Sequence, residues 1–348
     1  MGLEEIFSNA TSLNASDVHL SSDLSVFFRI NGLLQPIKNW PVLKHEDILK
    51  LIEPIINENQ KEILFKEKTL EFSYQIKSGI RFRISVFWEK GKIALSARLI
   101  SSLIPSMEEI KMPESIYKLI NLKDGLVLVT GPTGCGKSTT LAALINYINT
   151  KRSCHIITLE DPIEYVFSSQ KSIIAQRELG KDMNSFQSAL KHIVRQDPDI
   201  ILVSEMRDLE TISLAVTLAE TGHLIFATLH TPNAPQTIDR IIDIFPTDQQ
   251  KQIRLQISMA LKCIISQHLL PKINSGRVAA REVLFNTPAI ANLIRENKIS
   301  QIRSVLQTSS QDGMSTLEQD LKKLYHLGEI DLKTALNYAN YPDEIIKE

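Results

Sequence analysis

Residues 126–140 read LVLVTGPTGCGKSTT, an apolar run that passes into a glycine-rich turn and then into the helical pattern STTLAALINYI. Gly131 to Ser138 match G-x-x-x-x-G-K-[ST], the pattern of a phosphate-binding loop (P-loop) between a strand and a helix. The glycines allow a tight turn with inward N–H groups, Lys137 can reach the β and γ phosphates, and Ser138 can ligate Mg²⁺. The predicted ATP-binding residues are Gly131, Pro132, Thr133, Gly134, Cys135, Gly136, Lys137, Ser138 and Thr139.

The P-loop strand is one of several apolar strands that alternate with amphipathic helices. The predicted strands are residues 126–130, 155–160, 199–205 and 224–230, and each ends in polar or charged residues. This alternation indicates an α/β domain with a parallel sheet, whose ligands gather at the carboxyl ends of the strands. Hydrolysis of ATP would require water activation, metal neutralisation and positive charge, so the strand ends are the places to look for these groups.

Glu205 follows the apolar run of DIILVSE and is the candidate general base or water-positioning residue. Many P-loop enzymes place an aspartate immediately before that glutamate to hold the metal, but this chain has Ser204 there. We therefore expect Mg²⁺ to depend on Ser138, phosphate oxygens and water, with Glu205 acting on the metal through water.

Two further strand ends carry candidate residues. TLEDPIEY places Glu160, Asp161 and Glu164 together, although charge alone favours a solvated acidic turn. His223 and His230 flank one strand and lie about 23 Å apart at ~3.3 Å per residue, so both cannot contact one γ-phosphate. His230 is at the carboxyl end and is the predicted phosphate sensor, whereas the other histidine is assigned to packing or a subunit contact.

The chain divides into two predicted domains. Residues 1–110 contain helix DILKLIEPII and antiparallel strands such as IRFRISVFW and IALSARLI, followed by a proline-marked linker. Residues 111–348 form the P-loop domain, and from about residue 246 the pattern is mainly helical, including DQQKQIRLQISMALKCIISQHLL, with a strand at VAAREVLF. In IRFRISVFW, alternation places Arg81 and Arg83 on one strand face, opposite Phe82.

Composition limits the classes of function. The 39 basic and 40 acidic residues give a net charge of −1, which argues against a nucleic-acid partner. Three widely separated cysteines predict neither a disulfide framework nor a zinc site, and fit a reducing compartment. No apolar run approaches the ~18 residues of a membrane span, so we expect a soluble cytoplasmic protein.

Four sequence boxes, in order along the chain, resemble those of the type II/IV secretion ATPase superfamily. GPTGCGKST is similar to its Walker A box, TLEDPIE to its Asp box, RQDPDIILVSEMRD to its Walker B signature and TGHLIFATLHT to its His box. SDVHL, DLETISLAVTLAETGHL, TIDRIIDIFP and TPAIANLIREN further resemble PilT-type type IV pilus retraction ATPases. The resemblance covers nearly the whole chain.

The resemblance implies a hexameric ring of subunits, each with a PAS-like N-terminal domain and a RecA-like ATPase domain. It implies ATP and Mg²⁺ as ligands, an inner-membrane pilus platform protein as partner, and a cytoplasmic location at that membrane. The Asp box makes Glu160 and Glu164 candidate catalytic acids, and Arg83 and Arg98 would reach the phosphates, although a solvated basic strand face is the alternative. As arginine fingers, each could change the rate on the order of 10³-fold or more.

This chain departs from the resemblance at three positions: Cys135 replaces serine, Ser204 replaces glycine, and Ala291 replaces the arginine of the retraction motif. Cys135 lies near Lys137 and a helix N-terminus, which can favour a thiolate, so we hypothesise that its alkylation blocks nucleotide binding. Ala291 leaves open an accessory retraction role, beside a paralogous retraction or assembly ATPase.

Four functions remain open from the sequence. Pilus retraction is favoured over pilus assembly or type II secretion, since relatives of the latter kinds usually carry an extra N-terminal domain and often a tetracysteine zinc insertion. A nucleotide-dependent switch without turnover is the non-enzyme alternative, which Lys137, Glu205 and His230 disfavour. A nucleic-acid translocase is disfavoured by the balanced charge.

Overall fold

The structure, a computed structural model, describes residues 2–30, 32–37, 40–100 and 103–346. The fold divides into two compact units. Unit 1 comprises Met1–Leu103 and Pro162–Val166, and unit 2 comprises Ile104–Asp161 and Phe167–Glu348. The elements of unit 1 are α1 Leu3–Ser12, β1 Ala15–Leu20, β2 Phe27–Ile30, β3 Leu33–Pro36, α2 His45–Ile52, α3 Glu58–Glu67, β4 Thr69–Gln75, β5 Arg81–Glu89 and β6 Lys92–Ile100.

Unit 1 is an antiparallel sheet whose strands lie in the order β3-β2-β1-β6-β5-β4. Alternation along β5 decides which face is covered: Phe82, Ile84 and Val86 are buried, whereas Arg83 is exposed. The buried face packs against α1, where Phe7 stacks on Phe82 with ring centroids 4.1 Å apart. The predicted separation of the arginine and phenylalanine faces of this strand is therefore confirmed.

Unit 2 contains the predicted α/β pattern. Its elements are β7 Gly125–Thr130, α4 Lys137–Lys151, β8 His155–Glu160, β9 Ile173–Glu178, α5 Phe186–Ile193, β10 Ile200–Val203, α6 Leu209–Glu220, β11 Leu224–Leu229, α7 Ala234–Asp243, α8 Gln250–Ala260, β12 Leu261–Pro271, β13 Arg277–Phe285, α9 Pro288–Arg295, α10 Ile302–Thr308, α11 Leu317–His326, α12 Leu332–Tyr338 and α13 Asp343–Ile346.

The sheet of unit 2 has the strand order β13-β12-β7-β11-β10-β8-β9. All neighbouring pairs are parallel except β12 and β13. Every residue of β7, β10 and β11 is buried, as expected for central strands covered on both faces. The carboxyl ends of these three adjacent strands consequently lie side by side at one edge of the sheet.

One strand contradicts the prediction from sequence. The segment DQQKQIRLQISMALKCIISQHLL was predicted to be helical, but the helix ends at Ala260 and Leu261–Pro271 form β12. Its Cys263, Ile264 and Ile265 are fully buried between β7 and β13. A short apolar run has no periodicity that separates a buried strand from a buried helix, so only its pairing with β7 decides. The edge strand β9 was also not predicted.

We expect Phe82→Ala to destabilise unit 1 by about 3–5 kcal/mol, because it removes a fully buried ring from a stacked pair. Both tryptophans of the chain, Trp40 and Trp88, lie in unit 1, so urea unfolding followed by tryptophan fluorescence reports on this unit. The control Leu13→Ala changes a side chain that is 44% exposed and should alter stability by less than ~1 kcal/mol. Equal unfolding midpoints for the two variants would contradict the assignment of this core.

Candidate active site

The P-loop connects β7 to α4 with a backbone that depends on glycine. Gly131, Gly134 and Gly136 have φ angles of +138°, +79° and +90°, a region that side chains other than glycine rarely adopt. A Cβ atom on Gly131 would lie 2.3 Å from the carbonyl oxygen of Gln267. Glycine is therefore required there by both conformation and space.

The N-terminus of α4 differs from those of the neighbouring helices. Asp208 caps α6 and Asn233 caps α7 by accepting a hydrogen bond from a first-turn N–H, but Gly136 offers α4 no side-chain cap. The first-turn N–H groups of a helix have no intrahelical partner, and the positive end of the helix dipole lies there. This end of α4 can therefore bind an anion with its backbone.

Lys137, His230 and Glu205 form a continuous chain of contacts across three strand ends. The Lys137 Nζ atom is 3.4 Å from Nδ1 of His230, and Nε2 of the same ring is 3.2 Å from Oε1 of Glu205. An ammonium can only donate and a carboxylate can only accept, so Nδ1 accepts and Nε2 carries the proton. A neutral imidazole satisfies both neighbours at once.

Glu205 is additionally bound by an arginine two residues further along the chain. The Arg207 Nη2 atom is 2.8 Å from Glu205 Oε2. Burial opposes ionisation of Glu205, but the hydrogen bond and charge of Arg207, together with His230, outweigh it and lower the pKa below its usual range. The carboxylate is thus the stable form. Arg207 was not among the predicted site residues, although its place in SEMRD, two residues after the acid, was visible in the sequence.

A cavity of about 630 Å³ opens beside this chain of contacts, between the ends of β10 and β11 and helix α7. Glu205, Arg207 and His230 line one side of it. Asp239 and Arg240 of α7 line the other. Burial and the nearby charge of Asp243 raise the pKa of Asp239. The lining therefore combines these charged and polar side chains with apolar ones, and it lies next to the candidate water-handling acid.

The acids of TLEDPIEY do not share one environment. Glu160 ends β8 and is only 8% exposed, and its Oε1 accepts hydrogen bonds from Thr158 at 2.6 Å and Gln176 at 3.0 Å. Glu160 therefore does not belong to a solvated turn. Asp161 is exposed, and its charge adds to the larger effect of the Glu205 hydrogen bond in raising the pKa of Arg207. Glu164 is half-buried and belongs to unit 1.

Cys135 contradicts the expectation that its surroundings favour a thiolate. The side chain is 3% exposed, and burial raises the pKa of the thiol even though the Lys137 charge acts in the opposite direction. Desolvation disfavours the charged form more than a single nearby cation stabilises it. The thiol is therefore the stable form within the P-loop.

Arg83 and Arg98 lie in unit 1, directly opposite each other on β5 and β6. Opposite residues of an antiparallel pair share a face and repel when their charges are alike. Each arginine is paired with a carboxylate: Arg83 with Glu71 at 2.9 Å, and Arg98 with Asp17 at 2.8 Å. Both side chains of the Arg83–Glu71 pair are exposed, so the pair contributes little to stability.

A glycine-rich loop between a parallel strand and an uncapped helix, with a lysine, a histidine and an ionised glutamate at adjacent strand ends, defines a P-loop NTPase site. Residues 2–336 match the family model described as "Type II/IV secretion system protein". The chain belongs to this family. The resemblance inferred from the four sequence boxes is thereby confirmed, as is the α/β fold class.

Several known proteins are similar over nearly the full chain. "Type IV pilus retractation ATPase PilT" of Pseudomonas aeruginosa is 44% identical over 343 residues, covering 99% of both chains. "Twitching motility protein" of Neisseria gonorrhoeae is 47% identical over 312 residues, covering 89% of this chain and 83% of that protein. The solved structure "Crystal Structure of the Pilus Retraction Motor PilT and Bound ADP" is 46% identical with a TM-score of 0.92, covering 99% of this chain and 98% of that one.

We expect iodoacetamide at about pH 8 to alkylate Cys154 faster than Cys135 or Cys263, by about tenfold or more. Cys154 is half-buried, whereas burial raises the thiol pKa of both other cysteines. Peptide mapping by mass spectrometry measures the three rates separately. Preferential labelling of Cys135 would show that its thiolate is favoured after all.

Proposed function

We propose that this chain is an ATP-hydrolysing motor that powers retraction of a type IV pilus. The observation that carries the proposal is the chain of contacts in which His230 joins the P-loop lysine to an ionised Glu205. These contacts place the phosphate-binding cation Lys137 and the water-handling acid Glu205 against the same imidazole ring. The names of the pilus retraction relatives support the assignment of the motor to pilus retraction.

Hydrolysis would use the residues in distinct roles. The Lys137 ammonium donates to the carbonyl oxygens of Gly131 at 2.8 Å and Pro132 at 3.2 Å, and a bound triphosphate would compete for these donors with a stronger acceptor. The lowered pKa of Glu205 makes it a weak base, which favours orienting water over abstracting its proton. Phosphoryl transfer has a loose transition state, so positioning and charge stabilisation are the main requirements. His230 would report γ-phosphate occupancy to Glu205 through Lys137.

The residues at the strand ends fit a magnesium ion. Ser138 lies half-buried in the first turn of α4, and Ser204 has a buried hydroxyl that lacks a hydrogen-bond partner among the described residues. Mg²⁺ binds few protein ligands and keeps several waters beside substrate phosphates, so one hydroxyl and an ionised acid nearby are sufficient. Ser138 would ligate the ion directly and Glu205 through water. When bound, the ion neutralises charge on the β and γ phosphates.

The remaining site assignments are proposals of the same kind. Gly131 to Thr139 bind the phosphates, and the buried Glu160 and the half-buried Glu164 act as the Asp-box acids. Arg83 and Arg98 exchange their carboxylate partners for phosphate oxygens. Residues 1–110 and 111–348 act as two functional domains, and the P-loop lies in the second.

The mechanical assignments rest on relatedness rather than on the geometry of the site. We assign the chain to a homo-hexameric ring that acts on an inner-membrane pilus platform protein, from the cytoplasmic side of that membrane. A paralogous retraction or assembly ATPase is a further candidate partner. Among the helices in the described parts of the chain, none has the length and apolar character needed to cross a bilayer.

We expect Glu205→Gln to reduce kcat for ATP by about 10²–10⁴-fold, because an amide cannot act as the ionised water-positioning group. ADP binding should persist, since the substitution is isosteric and leaves the P-loop intact. Phosphate release, calorimetric ADP binding and assembly mass in ATP and Mg²⁺ are measured on the same preparation. The matched control Glu210→Gln changes an exposed carboxylate of α6 that pairs with Lys191, and its rate should equal that of the wild type.

Full turnover in Glu205→Gln would remove this residue from the mechanism. A folded, nucleotide-bound wild type without turnover would instead favour the switch without hydrolysis. In cells, loss of pilus retraction with pili still assembled supports the retraction motor, whereas loss of pili supports the assembly ATPase.

We expect Arg207→Gln to move the acidic limb of the kcat–pH profile to higher pH. Arg207 lowers the pKa of Glu205, so in the wild type the carboxylate persists to lower pH, and without this cation it is protonated earlier as pH falls. The shift should be modest because Arg207 is largely exposed and screened by salt. Arg207→Lys keeps the charge and should shift the limb less, so identical profiles for wild type and Arg207→Gln would count against this pairing.

A further inference from the structure

Gln267 lies on β12, the strand whose existence the sequence did not reveal, and its side-chain amide contacts both the P-loop and α4. The side chain is 1% exposed. Its Nε2 atom donates to the carbonyl oxygen of Cys135 at 2.7 Å, and its Oε1 atom accepts from the Thr140 hydroxyl at 2.9 Å. One amide therefore holds both the turn of the loop and the first turn of the helix.

The backbone of the P-loop also passes close to Gln267. A Cβ atom on Gly131 would lie 2.3 Å from the Gln267 carbonyl oxygen, and one on Gly136 would lie 3.3 Å from its Nε2 atom. Both glycines thus pass close to the same glutamine, one at its main chain and one at its side chain. The start and the end of the loop are positioned against a single buried residue.

The hydrogen bond to Cys135 has a directional consequence. In a trans peptide the C=O and the following N–H point in opposite directions. Holding the Cys135 carbonyl toward Gln267 therefore turns the N–H of Gly136 away from β12. The N–H groups of a P-loop must point inward together to bind phosphate oxygens, so the orientation of this peptide matters to the whole set.

We propose that Gln267 is a positioning residue that holds the P-loop in its anion-binding conformation and thereby sets nucleotide affinity. This inference rests on the proposed function, because it takes the P-loop to bind a nucleotide. Gln267 acts through the Cys135–Gly136 peptide and the Thr140 hydroxyl, and it needs no contact with the ligand.

Gln267→Met tests the proposal, since it keeps the length of the side chain and removes both hydrogen bonds. ADP affinity, measured by calorimetry, should fall about ten- to hundredfold, the range expected when buried polar groups lose their partners. Thr140→Val removes only the hydroxyl and should weaken ADP binding by a smaller factor, about three- to tenfold. Ile265→Val is the matched control, a fully buried residue of the same strand without a polar contact to the loop; its ADP affinity should stay that of the wild type.

Cysteine labelling provides a readout that general destabilisation would not reproduce. In Gln267→Met, iodoacetamide should alkylate Cys135 faster while the fully buried Cys263 of β12 stays protected. Wild-type labelling of Cys135 together with wild-type ADP affinity in Gln267→Met would overturn the proposal. If Gln267→Met exposes Cys263 as well, it has unfolded, and Thr140→Val then decides by the same two measurements. A wild type that fails to bind ADP refutes the proposed function, but the Cys135 rates still show whether Gln267 holds the loop.

Discussion

The contact of one imidazole with both Lys137 and Glu205 is possible only because three parallel strands end side by side. β7, β11 and β10 are adjacent and in parallel register, so the residues that follow them meet at one edge of the sheet. With Nδ1 accepting and Nε2 donating, the orientation of the His230 ring is determined by two neighbours of opposite charge. A single side chain therefore connects the P-loop lysine to the acid.

Strand β13, at the antiparallel edge of the same sheet, contacts the start of helix α7, which follows His230. Glu282 of β13 accepts a hydrogen bond from the N–H of Ala234 at 2.7 Å, four residues after His230. Burial raises the pKa of Glu282 to about 7, and the helix N-terminus that it contacts favours the charged form. The preceding residue, Arg281, donates to two carbonyl groups of the segment before β7, and the N–H of Arg281 is held by Asp320. The β12–β13 hairpin thus contacts both the P-loop, through Gln267, and the start of α7 after His230, through Glu282.

Unit 1 shows how strand pairing concentrates charge. The register places Arg29 opposite Asp17, Asp17 opposite Arg98, and Arg98 opposite Arg83, in one row across four strands. The two adjacent arginines repel each other, and the Asp17 carboxylate offsets part of that repulsion. Burial raises the pKa of Asp17, but the hydrogen bond from Arg98 helps to lower it below its usual value. The row is therefore a positively charged strip held by two carboxylates, Asp17 and Glu71.

The sequence alone determined the P-loop, the α/β class and the four central strands, because glycine patterns and strand-ending polar residues are local signals. It also singled out Lys137, Glu205 and His230, which the structure brings into contact. It did not reveal the contacts of Arg207 or Gln267, nor that burial outweighs the cation beside Cys135. Those depend on pairing and desolvation between residues far apart in the chain. β12 shows the reason most clearly: a buried apolar run of this length is compatible with helix or strand, and only its position between β7 and β13 selects the strand.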